Sequence, residues 1–140
     1  MVLTRVAYDD PACESEMERL KQVYRIQLID KLTDTDNTIT KQVNFYVSAL
    51  SLTPATEDRA DELNGSLHCG YDDWQAGEAK DILGQTACTD VEDGDATYDI
   101  YQVSGSQLFF GDRAADTEAE RPTRLGDTAV ASYLGDIPAE

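Results

Sequence analysis

Arg19-Leu20-Lys21-Gln22-Val23-Tyr24-Arg25-Ile26-Gln27-Leu28-Ile29-Asp30-Lys31-Leu32 is the stretch whose reading decides the fold class. Leu20, Tyr24, Ile26, Leu28 and Leu32 fall on one parity, and Arg19, Lys21, Arg25, Gln27 and Lys31 on the other. Such alternation is that of a half-buried strand, with the apolar parity turned inward. A helix is the rival, because Leu20, Val23, Tyr24 and Leu28 also fit helical spacing. The clean polar parity beyond Tyr24, together with the aromatic and β-branched content, favours the strand.

Working outward, Thr33-Asp34-Thr35-Asp36-Asn37-Thr38 is a turn cluster of short polar side chains that bond back to their own backbone. A second strand follows, with Val43, Phe45, Val47 and Ala49 on one face and Gln42, Asn44 and Ser48 on the other. The two read as an antiparallel hairpin. Thr53-Pro54 opens an expected helix through Leu63, with Thr53 as N-cap, Pro54 in the first turn and Asn64-Gly65 as the stop. Glu57 and Asp58 lie near its positive end. Thr97 to Val103 and Gln107 to Gly111 form a second hairpin around Ser104-Gly105, apolar on both faces and therefore central or covered. Arg113 to Glu120 is polar loop, and Thr128 to Leu134 offers a last short strand. The expectation is a single, mainly β domain over 1–140: an antiparallel meander forming a small barrel or half-barrel, or packing as a sandwich, with one short helix near 54–63.

The chain has 140 residues and 41% hydrophobic content, enough for one core and too much for a disordered segment. Asp plus Glu total 28 against 11 Lys plus Arg, a formal charge of -17. That field opposes nucleic acid and anionic lipid, and suits solubility, cations or a basic partner. No apolar run reaches the ~18 residues of a membrane span. The opening Met-Val-Leu-Thr-Arg-Val-Ala-Tyr lacks the three-part pattern of a signal peptide, so the compartment stays open between cytosol and an exported form.

Cys69 and Cys88 lie 19 residues apart around Gly70, Gly77 and Gly84. A disulfide there would stabilise the fold by ~3 kcal/mol, leaving Cys13 as a free or intermolecular thiol. Zinc is the rival, weakened by the lack of a Cys-x-x-Cys and by His68 being the single histidine. If His68 and Cys69 sit in a strand, they point to opposite faces and cannot pair as base and nucleophile. No catalytic set or cofactor is therefore nominated. Asp34, Asp36 and Thr38 open like a calcium loop, but no Gly holds the sixth position and Phe45 stands where the bidentate Glu belongs. Asp90-Val91-Glu92-Asp93-Gly94-Asp95 is likewise read as a solvated turn. Trp74 reads as a core or rim anchor whose N–H bonds a neighbouring loop, with ligand stacking as the alternative.

Cys69-Gly70-Tyr71-Asp72-Asp73-Trp74-Gln75, then Lys80-Asp81, Gly84 and Cys88, resembles a pattern in small exported bacterial proteins and lipoproteins of unknown function. So do Ser51-Leu52-Thr53-Pro54, Tyr98 to Val103, Leu108, Gly111-Asp112 and Arg121-Pro122-Thr123. The resemblance covers roughly residues 40 to 125 and implies a lipocalin-like β-barrel in outline, a disulfide rather than zinc, and an envelope or extracellular setting. The family pattern carries further strands and a cysteine before the position matching Cys13. This chain departs from it there, which implies an exposed sheet edge that a second copy could cover. Small acidic chains of this type also occur in mobile gene cassettes.

The functional expectation is a non-enzymatic, dimeric protein holding a small apolar ligand, with Tyr24, Ile26, Leu28, Phe45, Val47 and Trp74 as candidate lining. The same residues would suit a plain core. The alternative is a protein-interaction or envelope-structural module using a strand edge or the Tyr98–Phe110 hairpin.

Overall fold

The structure, a computed structural model, describes residues 1–35 and 38–132. The chain is mainly β. Its strands are β1 (Val2–Tyr8), β2 (Glu16–Thr35), β3 (Thr38–Pro54), β4 (Lys80–Asp81), β5 (Ala96–Ser104), β6 (Gln107–Phe110) and β7 (Ala131–Ser132). One helix, α1 (Glu57–Gly65), and two 3-10 turns at His68–Gly70 and Glu118–Glu120 complete the elements. The strand order is β1-β2-β3-β5-β6-β7, with the short β4 beside β3. β1 and β7 stand at the two ends of that order, which is the connectivity of a half-barrel meander rather than of a closed barrel.

The two hairpins are where the sequence reading placed them; β2 runs beyond Arg19–Leu32 at both ends, whereas β5 gains one residue at each end and β6 stops at Phe110 rather than Gly111. The centre of the first turn, Asp36-Asn37, lies outside the described residues, as does the expected last strand after Ser132. Two strands had no reading in the sequence. β1 pairs antiparallel with β2 from Val2↔Val23 to Tyr8↔Glu16, and β4 is two residues defined only by pairing with Ser51 and Leu52 of β3.

The helix begins later than expected. Pro54 ends β3, and its carbonyl accepts from Gly77 N at 2.8 Å. The N-cap is Thr56, whose Oγ1 accepts from Arg59 N at 3.1 Å. Thr53 is thus strand, not cap: Ala55 N still donates to Met17 O at 2.8 Å, so extended pairing outlasts the Thr-Pro signal. The helix does stop at Gly65, as expected, with Ser66 as C-cap, and the left-handed residue beyond it is Leu67 at φ 51°.

Two compact units share the long strands. The first comprises Met1–Arg25 and Tyr46–Asp95, the second Ile26–Phe45 and Ala96–Glu140. In the first, Leu50, Leu52, Ala60, Leu63, Cys69, Trp74 and Ile82 form a buried cluster, against which Leu20, Tyr71 and Cys88 pack. In the second, Val43, Phe45 and Ile100 are buried, and the Phe45 ring meets Phe110 edge-on at 5.4 Å. Gln42 and Asn44, expected on a solvated face, are buried as well, because β3 is covered on both faces in this unit.

Candidate functional site

The six residues expected to line a pocket divide between the two units, Tyr24, Val47 and Trp74 in the first and Ile26, Leu28 and Phe45 in the second. Phe45, Val47 and Trp74 are buried, whereas Ile26 is 49% and Leu28 65% exposed; Tyr24 is half-buried. The inward reading of the β2 apolar parity is therefore corrected beyond Tyr24: Ile26, Leu28 and Leu32 face solvent. A shallow groove of about 420 Å³ in the second unit is lined instead by Lys41, Tyr101, Gln102 and Val103. None of the six contributes to it.

Trp74 is fixed from three sides. Asn64 Oδ1 accepts from its backbone N at 2.6 Å, Asn64 Nδ2 donates to its O at 3.0 Å, and its Nε1 donates to His68 O at 3.2 Å. Tyr71 meets the indole edge-on at 5.8 Å, and Lys80 Nζ lies 4.6 Å from the Tyr71 centroid. The Lys80 ammonium also bonds Asp73 Oδ1 at 2.5 Å, which holds that carboxyl below its ordinary range. This is a packed anchor with a charged rim.

Cys69 and Cys88 form the expected disulfide, and Cys13 is an exposed free thiol in the turn between β1 and β2. The reading of His68 and Cys69 as opposed strand neighbours is corrected. They sit in a 3-10 turn, with Cys69 in the left-handed region at φ 55°, not in a strand. One donor atom each from His68, Cys69 and Cys88 lies within 4.8 Å of the others.

In the second unit Arg121, named above only within a resemblance pattern, has a structural role that its sequence context does not signal. Its side chain is only 7% exposed. Nη1 donates to Val43 O at 2.9 Å and Asp99 O at 2.7 Å, Nη2 donates to Asn44 Oδ1 at 2.7 Å, and the guanidinium lies 5.3 Å from the Tyr98 ring centroid. Asp99 Oδ1 accepts from Ile100 N and Gly111 N at 2.8 and 2.9 Å. Burial pushes the Asp99 carboxyl above its ordinary range, against the opposing pull of those N–H groups and Arg121. A Cβ on Gly111 would lie 2.4 Å from Pro122 Cγ and 2.5 Å from Asp99 Oδ1, so only glycine fits there. Gly111, Arg121 and Pro122 thus form one clasp on β3 and β5.

The outer edge of β2 carries exposed apolar side chains. β1 accompanies β2 only as far as Tyr24, whose N–H and C=O bond Met1 at 2.8 and 3.0 Å. On the other side, Gln27 bonds Asn44 at 3.3 Å and Asp30 meets Lys41 at 3.6 Å, contacts that share one register with β3. In an antiparallel ladder alternate residues aim their backbone groups the same way, so Ile26, Leu28, Asp30 and Leu32 aim theirs outward, as Tyr24 does. Beyond Tyr24 no described strand lies on that side. A comparison with protein-family models and with curated proteins finds no match for this chain.

Proposed function

We propose that this protein is a non-enzymatic interaction module that takes an extended segment of a partner along β2 at Ile26–Leu32. The observation that carries the reading is the coincidence, on the same residues, of outward backbone groups with exposed apolar side chains: Ile26 at 49%, Leu28 at 65% and Leu32 at 57%. Strand addition needs both, main-chain bonds for affinity and alternate side chains for specificity. Charge selects the occupant. Arg25 beside the segment and Lys31 within it stand against one carboxylate, Asp30, in a chain of net charge -17. Asp30 already has Lys41 beside it. An extended segment alternating apolar and acidic residues complements this strand, whereas two copies would bring two strongly acidic chains together and oppose like cations.

The test is titration of the isotopically labelled protein with a capped peptide of alternating Glu and Val, read by amide chemical shifts and by light scattering. Shifts confined to Ile26–Leu32, abolished by Leu28→Lys, are expected. A concentration-dependent dimer abolished by Leu28→Lys would replace the partner with a second copy. Shifts centred on Tyr101–Val103, or saturable uptake of a fatty-acid probe unaffected by Leu28→Lys, would overturn the reading in favour of a small-ligand binder.

A further inference from the structure

We propose that reduction of the Cys69–Cys88 disulfide converts this corner of the first unit into a two-cysteine, one-histidine site for a thiophilic cation such as Zn²⁺. Three observations on separate parts of the chain carry this. The donor atoms of His68, Cys69 and Cys88 already lie within 4.8 Å of one another. A tetrahedral zinc with Zn–S bonds near 2.3 Å and Zn–N bonds near 2.0 Å needs its donors about 3.5–3.8 Å apart, so the sulfurs separate and the imidazole closes on them within that spacing. Borderline-soft thiolate and imidazole donors select zinc over the hard cations that the carboxylates of this surface would favour.

Each of the two cysteines also lies in a turn with backbone hydrogen bonds of its own. Cys69 lies in a turn closed by Gly70 N donating to Leu67 O at 2.8 Å and Tyr71 N donating to His68 O at 3.1 Å. That turn is pinned in turn by the Trp74 indole N–H on His68 O at 3.2 Å. Cys88 lies in another turn, where Cys88 N and Thr89 N both donate to Gln85 O, at 3.0 and 3.1 Å. The loop carrying it is tied by Ile82 N to Leu50 O at 2.9 Å and by Gly84 N to Val91 O at 3.0 Å. Opening the sulfur–sulfur bond therefore leaves both thiols facing His68. Cys69 is buried and the other two donors are half-buried, which shields one side of the site and leaves the fourth position to water.

The chemistry balances. A dithiol reductant gives two electrons and two protons, the Sγ–Sγ bond breaks to two thiols, and the reductant closes to its own disulfide. Zn²⁺ then displaces both thiol protons to solvent while the neutral imidazole of His68 donates its lone pair. The oxidised chain has no thiolate to offer at this corner, so the site exists in one redox state only.

The experiment uses the full chain carrying Cys13→Ser, which removes the exposed third thiol. After phosphine reduction and anaerobic desalting, Zn²⁺ is titrated against a chromophoric chelator and Co²⁺ is added for its thiolate charge-transfer absorption. One metal per reduced chain, about two protons released per zinc, and no comparable binding by the oxidised chain are expected. His68→Gln leaves the backbone acceptor for Trp74 in place, and should weaken zinc binding at least about tenfold, the scale on which even outer partners of a metal act. Trp74 emission reports folding throughout. Equal affinity of the oxidised and reduced forms would overturn the proposal. So would an unaffected His68→Gln chain, or a reduced chain that unfolds and is not restored by zinc.

Discussion

The first unit is held by apolar burial plus a covalent bond, and the second by a buried cation. Around Trp74 the core consists of Leu50, Leu52, Leu63 and Ile82, closed by Cys69–Cys88, and the charges of Lys80 and Asp73 stay at the rim. In the second unit Arg121 reaches inward to two backbone carbonyls and an amide oxygen, and a buried Asp99 caps the backbone beside it. The difference is one of tolerance. Apolar contacts lose energy in proportion to the atoms removed, whereas removing one member of a hydrogen-bonded buried set strands all the others.

Arg121→Ala is therefore expected to be the largest single perturbation, roughly 4 kcal/mol, because Val43 O, Asp99 O and Asn44 Oδ1 each lose a charge-assisted donor. Denaturant unfolding can be followed by Trp74 emission for the first unit and by methyl resonances of Val43 and Ile100 for the second. The second-unit probes should move first; coincident transitions would show that the comparison has no thermodynamic content. Replacing both Cys69 and Cys88 by Ala should cost about 3 kcal/mol, from restored loop entropy, and should move Trp74 emission first. Gly111→Ala comes next, at roughly 1–3 kcal/mol, as the added methyl meets Pro122 and Asp99. A cost indistinguishable from zero would mean that the clasp around Arg121 yields easily.

The pH dependence of the two units should have opposite sign. Asp99 has a folded pKa raised above its ordinary 3.8, so its favourable contribution is complete below that value and is lost as pH rises through the folded one. Asp99→Asn, which keeps an acceptor for Ile100 N and Gly111 N, should gain on the parent steadily as pH rises from about 4. Asp73 has its pKa lowered by Lys80, so its contribution is present above 3.8 and is lost as pH falls below it. Lys80→Met should remove only that slight acid sensitivity, the smallest effect of the series, since the pair is at the surface. Parallel pH profiles for the two variants would break the comparison.

Alternation made β2 and β3 legible, the Ser104-Gly105 turn between aromatic-rich runs marked the β5–β6 hairpin, and spacing made Cys69–Cys88 legible, because all three are local regularities. The clasp was not legible. Arg121 lies 78 residues from Val43, and nothing in Arg121-Pro122-Thr123 distinguishes a buried guanidinium from a solvated one. The ligand set went astray for a related reason. Ile26 and Leu28 have the same pattern as Leu20, but whether an apolar parity is covered depends on what packs over it. β1 pairs with β2 from Glu16 to Val23, over Leu20 and not over Ile26 or Leu28, and no pattern within β2 itself marks that boundary.

The sequence by itself determined the period of the strands, the acidic field and the two-cysteine clip, since each depends on residues close along the chain or on composition alone. Only the tertiary structure decided that β3 is buried on both faces, that His68 joins the two sulfurs, and that β2 leaves an apolar edge uncovered. Burial and side-chain convergence are set by distant segments, and whether His68 and Cys69 lie in a strand or a turn is decided by the same tertiary packing.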